Sequence, residues 1–434
     1  MEMENFSSRR RVVLASLDRF SSLPTELINI ILKFVPIRDV VRTSVLSRFW
    51  RCRWMLIPDL VFDARSVPPL GQGNRITKPL DFINHVFLLH NENVSQFEIS
   101  NYLDRYYPDV DRWLHLLARK LVMKLVLEFR SGNLYKISSS LFACQNLRVL
   151  KLRGCILFMP SYAKGLPSLV DLELRRVTFT EETIASLVAN SPLTRLVLVS
   201  CDGFTHLNIY ARNLQVLYIH GRCDSVNFGN TPNLVYAYLG CRPSAGHVQV
   251  PRHNGRRLNL RDLLRGLVTV KTLHLHKHFI KILVVCMVPG KLCLTFPRLV
   301  KVSLELNLDD SKEILTAVKL LGSSPCLQTM TTTNCSGREV IHLDLNEGVA
   351  LQRQLKQAGC VLPRLETVAL TGFKVRMYEM CFLQYLLANA GVLQTMSVQW
   401  AVSFTQNDQV KARLLQNMLQ FERASSRAKV VFLN

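Results

Sequence analysis

The chain has 434 residues, 48% of them apolar and 20% charged, and no long low-complexity tract, which places it among folded proteins of two or three domains or one extended repeat array. Lysine and arginine number 54 against 32 acidic residues, a net charge of +22 that favours acidic partners, but the excess is scattered and lacks the clustering and aromatic platforms of a nucleic-acid surface. Apolar runs such as Ile282 to Val288 fall far short of the roughly 18–20 residues a bilayer core needs, so no membrane partner is expected, and the twelve cysteines, none in a C-x-x-C pair, read as reduced thiols.

Residues 1–16 are basic and polar. Arg9, Arg10 and Arg11 precede only a short apolar patch without a small-residue cleavage pattern, so the segment is expected to be disordered and not a secretory signal. Residues 17–63 then predict three short helices. Ser22 and Pro24 mark the first start, and Leu27, Ile28, Ile31, Leu32 and Val35 recur at helical spacing until Pro36 halts the run. Asp39 is expected to cap a second helix carrying Val40 and Val41, and Ser47 a third carrying Trp50 and Trp54. A bundle this small cannot bury all of that apolar surface by itself.

The segment resembles the plant form of the F-box, which reads L-P-x-E-L, then I-L, then T-S-V-L-S and a tryptophan-bearing helix. Leu23, Pro24, Glu26, Leu27, Ile31, Leu32, Thr43, Ser44, Val45, Leu46, Ser47, Trp50 and Trp54 fall at the family's positions, whereas Phe49 and Arg53 depart from it. The resemblance implies a Skp-type adaptor as partner and, through it, a cullin and a RING protein. The adaptor-binding set is Leu23, Pro24, Leu27, Ile28, Ile31, Leu32, Val40, Val45, Leu46, Ser47, Trp50 and Trp54.

Residues 64–361 carry a recurring L-x-x-L-x-L signature. Leu147, Leu150, Leu152 and Cys155 form one copy, Leu169, Leu172 and Leu174 another, Leu193, Leu196, Leu198 and Cys201 a third, and Leu214, Leu217 and Ile219 a fourth. The starts are 22, 24 and 21 residues apart (147 to 169, to 193, to 214), the spacing of leucine-rich repeats. Weaker copies begin at Val94 and Val122, and others at Leu234, Val270, Leu299, Leu327, Leu365 and Leu393. The 36 residues from Leu234 to Val270 hold Pro243, Gly246, Pro251 and Gly255, so a loop or irregular repeat is expected there, and Ala237 takes a leucine position. Cys155, Cys201 and Cys335 read as small buried residues where the repeat turns inward.

Strand alternation turns the neighbours of the buried leucines outward. The outward ladder runs Val149, Lys151, Arg153; Asp171, Glu173, Arg175; Arg195, Val197, Val199; Val216, Tyr218, His220; Tyr236, Tyr238; Thr272, His274, His276. Tyrosine and arginine are common anchors of protein interfaces, so Lys151, Arg153, Arg175, Tyr218, His220, Tyr236, Tyr238, His274 and His276 are the candidate contacts for an unknown protein target, with the cationic end steering an acidic segment.

From Leu362 the chain reads strand (Leu365, Val368, Leu370), helix (Glu379, Leu383, Leu386, Leu387) and strand (Leu393, Met396, Val398). Residues 362–434 resemble the FBD segment of plant F-box/FBD/LRR-repeat proteins, with Val375 standing where that family commonly has glycine and Glu422 where it often has proline. The expected class is α/β: a small N-terminal helical F-box, a leucine-rich-repeat solenoid with a curved, mainly parallel sheet, and an FBD-like C-terminal cap.

Neither phosphate-cradling loop nor nucleophile elbow is present, and no cofactor is expected. His274, His276 and His278 would share one face of a strand, but no fourth ligand is evident, so no metal site is assigned. The reading is a non-catalytic, substrate-recognition subunit of a Skp–cullin–F-box ubiquitin ligase in the cytoplasm or nucleus. The alternative is an adaptor-bound interaction module without a role in ubiquitination.

Overall fold

The computed structural model describes residues 22–66, 77–103, 108–129, 134–243 (without 164 and 230), 252–253, 256–257, 264–286, 294–337, 345–401, 416, 418 and 420–433. The expected disordered segment 1–16 and most of the irregular stretch from 244 to 263 lie outside these residues. The chain divides into two compact units, Met1–Thr178 and Phe179–Asn434.

In the first unit, helix α1 spans Thr25–Lys33 and α2 Ile37–Arg42, followed by 3-10 turns at Thr43–Val45 and Trp50–Leu56. Glu26 in the first turn of α1 and Lys33 in its last complement the helix dipole. The chain leaves α1 at Phe34, and the Pro36 carbonyl accepts from Asp39 N (2.8 Å) and Val40 N (3.1 Å). Asp39 therefore lies inside the first turn of α2, and Pro36 holds the cap position expected of Asp39. Proline fits there because it fixes φ and has no N–H to leave unpaired. Ser47 Oγ does accept from Trp50 N (3.4 Å), but the element that follows is 3-10.

Among the described residues, five parallel strands make up this unit's main sheet, in the order β1 (Asp59–Phe62), β2 (Gln96–Leu103), β3 (Lys124–Phe129), β4 (Val149–Arg153) and β5 (Asp171–Arg175). The strand β1 thus falls inside the interval read as F-box. Lys33 Nζ meets Asp59 Oδ2 at 3.1 Å, tying α1 to it. Helices α3 (Thr77–Leu89) and α4 (Pro108–Arg119) supply crossovers. Their apolar residues meet Phe62 and Phe97 in an aromatic core with Phe87 and Trp113, whose indole donates to Asn84 Oδ1 at 2.8 Å.

Among the described residues, nine parallel strands make up the second unit's main sheet, in the order β6 (Arg195–Val199), β7 (Val216–Arg222), β8 (Tyr236–Arg242), β9 (Thr272–Leu275), β10 (Lys301–Leu306), β11 (Thr329–Asn334), β12 (Thr367–Phe373), β13 (Thr395–Trp400) and β14 (Lys429–Leu433). The periodic leucines explain the register. Leu196, Leu217, Ala237, Leu273, Val302, Met330, Val368 and Met396 are register partners, all buried. The residues predicted to open each repeat, Leu193, Leu214, Leu234, Val270, Leu299, Leu327, Leu365 and Leu393, are buried beneath the strand starts. A slip of one residue would turn every one of these side chains to the other face, so burial locks the pairing. Cys155 and Cys201 are buried as expected, whereas Cys335 is half-buried.

Crossovers in the second unit are α5 (Glu181–Ala189), α6 (Lys277–Cys286), α7 (Ser311–Gly322), α8 (Leu345–Ala358) and α9 (Met377–Asn389). A buried polar seam joins the loops that feed α7 and α9. Glu313 Oε2 accepts from Asn307 N (2.7 Å), and Glu379 accepts from Asn334 Nδ2 (2.6 Å), Lys374 N (2.9 Å) and Arg376 N (3.1 Å). The Arg376 guanidinium pairs with the buried Asp309 carboxylate.

Burial raises Glu313 and Glu379 to about 7, against the lowering effect of their backbone donors. The folded state therefore holds protons that the unfolded chain releases near the ordinary carboxylate value. The stability from these two groups is greatest below pH ~4.5 and declines as pH rises towards 7. Glu379→Gln should remove its share of that decline: the difference in thermal midpoint between variant and wild type grows in favour of the variant from pH 5 to 7.5. A pH-independent difference would contradict the assignment.

The loop before α9 carries a second signature. Val375 sits at φ +66°, a left-handed conformation costly for a β-branched residue, and it is held there because Glu379 binds the N–H groups on both sides of it. Val375→Gly should relieve roughly 1–2 kcal/mol of strain, less about 0.5–1 kcal/mol of added chain entropy, giving a slightly higher unfolding midpoint.

Candidate functional sites: a helical apolar surface and the outward sheet face

The N-terminal helical segment divides the predicted adaptor-binding residues into three groups. Ile28, Leu32, Val40 and Trp54 are buried and form the segment's own core, so they are not available as surface contacts. Leu23, Ser47 and Trp50 are half-buried. Pro24, Leu27, Ile31, Val45 and Leu46 are exposed, Val45 to 85% and Leu46 to 68%. Phe34, 82% exposed, and Ile30 join them, although sequence reasoning did not single them out. The available signal was Phe34's position at the end of α1, just before Pro36, where no later helical turn could cover its ring.

Exposed apolar side chains scattered singly are ordinary; six large ones, Leu27, Ile30, Ile31, Phe34, Val45 and Leu46, on one short helical segment mark a candidate contact surface. The two residues that depart from the F-box pattern act together. Arg53 stacks 4.1 Å over the Phe49 ring and donates to Thr25 Oγ1 at 3.0 Å, fastening the Trp50–Leu56 turn to the start of α1.

On the outward sheet face of the first unit, every predicted cationic contact has a carboxylate neighbour. Lys151 meets Glu173 at 3.4 Å, Arg153 meets Glu128 at 3.9 Å and Arg175 Nε donates to Glu173 at 2.6 Å. Glu173, expected to be exposed, is buried beneath these partners. The expected steering of an acidic segment by Lys151 and Arg153 is thus offset locally, because the opposing charges lie on adjacent strands and are invisible along the chain.

In the second unit the predicted aromatic residues come together. The Tyr218 and Tyr238 rings stack at 4.2 Å, Tyr236 lies 5.3 Å from His274, and His220 lies 5.8 Å from His276, which reaches Glu305 Oε2 at 3.1 Å. His220 has room because Gly240 lies beneath it: a Cβ there would stand 2.7 Å from His220 Nδ1. Desolvation raises the Tyr238 phenol to about 12 and, with His220, Arg242 and Lys277 nearby, lowers His276 to about 4.

His276 is buried rather than exposed. The expected three-histidine strand does not form: β9 ends at Leu275, the His276 carbonyl accepts the first N–H groups of α6, and His278 rides on that helix. Among the described residues no cluster of three or more possible metal ligands occurs.

Register continues this face into rows missed by sequence reasoning. Beyond the aromatic residues stand Lys301, Ser303 and Glu305, then Thr329, Thr331 and Thr333, then Thr367 and Thr371, then Thr395 and Ser397. Alternating threonines in β11, T-M-T-T-T-N, were the available signal.

A helical segment with an uncovered apolar surface, followed by parallel strands on a leucine column, defines an F-box protein with leucine-rich repeats. Comparison with known proteins agrees. Family models match for the F-box domain at residues 20–58, for the LRR repeats of FBD-associated F-box protein At5g56370 at 110–332, and for FBD at 358–398. The F-box/FBD/LRR-repeat protein At1g13570 of Arabidopsis thaliana is 31% identical over 418 residues, covering 96% of this chain and 98% of that protein. The FBD-associated F-box protein At5g38590 of the same plant is 31% identical over 245 residues, 54% of this chain and 58% of its own length.

The chain belongs to the F-box/FBD/LRR-repeat family. That family consists of F-box substrate-recognition proteins, typically non-catalytic, and an F-box implies binding to a Skp-type adaptor in general.

Proposed function

We propose that this chain is the target-binding subunit of a Skp–cullin–F-box ubiquitin ligase. Pro24, Leu27, Ile31, Val45 and Leu46 dock the adaptor, with Leu23, Ser47 and Trp50 at the edge, and the outward face of β7 to β9 holds a protein target. The observation that carries this reading is the uncovered apolar surface of the helical segment, led by Val45 and Leu46. The chain's own mechanism is proximity: holding a target beside activated ubiquitin raises its effective concentration, and the chemistry belongs to the cullin-bound partners.

Tyr218, Tyr236 and Tyr238 supply rigid anchors for the target, assisted by His274 and His220. Affinity capture of the full chain with the proteasome inhibited tests both halves. Cullin should co-purify with wild type, and Tyr218→Ala/Tyr236→Ala/Tyr238→Ala should reduce target capture at least tenfold while the adaptor still binds. Adaptor without cullin would favour an interaction module with no part in ubiquitination, and target capture unchanged in the triple variant would move the target elsewhere.

A further inference from the structure

Two like charges stand side by side on β7 and β8. Arg222 and Arg242 are register partners at the strands' ends, both exposed, and neither guanidinium has a carboxylate partner among the described residues. Like charges directly opposite across strands are destabilising; the first unit has the same arrangement in Arg153 and Arg175, but there Glu128 and Glu173 offset the two guanidinium groups.

The two arginines line an open cavity with Ser200, Asp202, His220 and Gly221. Its wall is tightly built: Ser200 is held at φ +52°, and a Cβ on Gly221 would meet Ser200 N at 3.1 Å. Asp202 makes no ion pair with either arginine among the described residues. Burial, with His276, Lys277, Arg242 and Lys281 nearby, holds His278 below its ordinary range.

We infer that this cavity binds a dianionic phosphate group carried by the target protein, a phosphorylated serine or threonine side chain, with Arg222 and Arg242 as its two guanidinium ligands. Neighbouring strands lie about 4.8 Å apart, so two arginines in register can converge on one tetrahedral oxyanion, each with paired N–H donors. Their joint charge matches a dianion, which a single carboxylate does not. The site lies on the strands that carry Tyr218 and Tyr238, so a target lying across those rings would reach it. The inference rests on the target-binding reading for the source of the phosphate.

Calorimetric titration of the full chain at fixed ionic strength tests it without any target. The probes are a short phosphoserine-containing peptide, its unphosphorylated form, the same peptide with glutamate in place of phosphoserine, and inorganic phosphate. The phosphoserine peptide should bind, and Arg222→Gln/Arg242→Gln should weaken it at least tenfold, while Arg148→Gln, at an exposed arginine outside the cavity, leaves it unchanged. Arg222→Lys/Arg242→Lys, which keeps the charge but loses the paired donors, should fall between. The thermal midpoint of the glutamine variant should not drop, because a repulsion has been removed.

Equal binding of the glutamate peptide, no binding of the phosphopeptide, or binding indifferent to both arginine variants would overturn the inference. Inorganic phosphate binding as tightly as the peptide would overturn the target-borne source. The tyrosine triple variant should still bind the phosphopeptide, so failure of the phosphate site and failure of the target-binding reading give different patterns.

Discussion

The full chain carrying Val45→Asp and Leu46→Asp is expected to lose binding to a Skp-type adaptor by roughly a thousandfold while remaining folded. Each exposed apolar anchor that a partner removes from water contributes about 1.5–3 kcal/mol, so losing two costs about 4 kcal/mol, and every 1.4 kcal/mol is tenfold in affinity. Both side chains project from the end of a 3-10 turn into solvent, at 85% and 68% exposure, so aspartate there disturbs no internal packing. Ile28→Asp provides the contrast, since Ile28 is 1% exposed and its replacement should unfold the helical segment itself. Surface plasmon resonance against the adaptor, with circular dichroism as the folding control, reads both. Undiminished adaptor binding by the double variant would remove this surface from the docking site.

The second large effect is expected deep in the other unit. Arg376→Ala should destabilise the unit by about 3–5 kcal/mol, the cost of leaving a buried charge without its partner. Asp309 is nearly inaccessible, with its side chain 2% exposed, and its other carboxylate oxygen already lacks a protein partner among the described residues. The pair links the loop before α7 with the loop before α9, so the loss should propagate across two repeats. Asp309→Asn/Arg376→Ala should recover part of it, because the uncompensated charge is gone. Chemical denaturation of the wild type and both variants would decide: a double variant no better than the single would show that lost packing of the arginine stem, rather than the stranded carboxylate, sets the cost.

Much of this architecture is written in periodic residues. The copies beginning at Leu147, Leu169, Leu193 and Leu214 announce strands, and even the loosely spaced Val270, Leu299, Leu327, Leu365 and Leu393 proved to be buried strand starts. A leucine column needs the same side chain at the same place in each turn, so a regular signal survives irregular loops. What depends on neighbours across strands was not legible. The glutamates that offset Lys151 and Arg153 sit on the adjoining strands, and Arg222 and Arg242 are twenty residues apart in sequence but opposite in register.

The helical segment gave a similar lesson. Leu27 and Ile28 look alike in a periodic pattern, yet one faces out and the other in, because a bundle of two short helices has an interior wide enough for only part of its apolar stripe. Helix beginnings were misread where two residues competed for one role, as with Pro36 and Asp39. His278 was placed on a strand because alternation of two continues past Leu275 in the sequence, although the backbone has already turned into a helix.

The parity of the strands in the second unit has a broader outcome. Side chains at one parity knit the interior together, and those at the other, from Tyr218 and His274 to the threonines of β11 and β12, do little of that work. Mutation can therefore redraft the outer rows, exchanging aromatic for hydroxyl or hydroxyl for charge, with small effects on folding. A scaffold so partitioned is free to acquire new quarry while its frame stays the same.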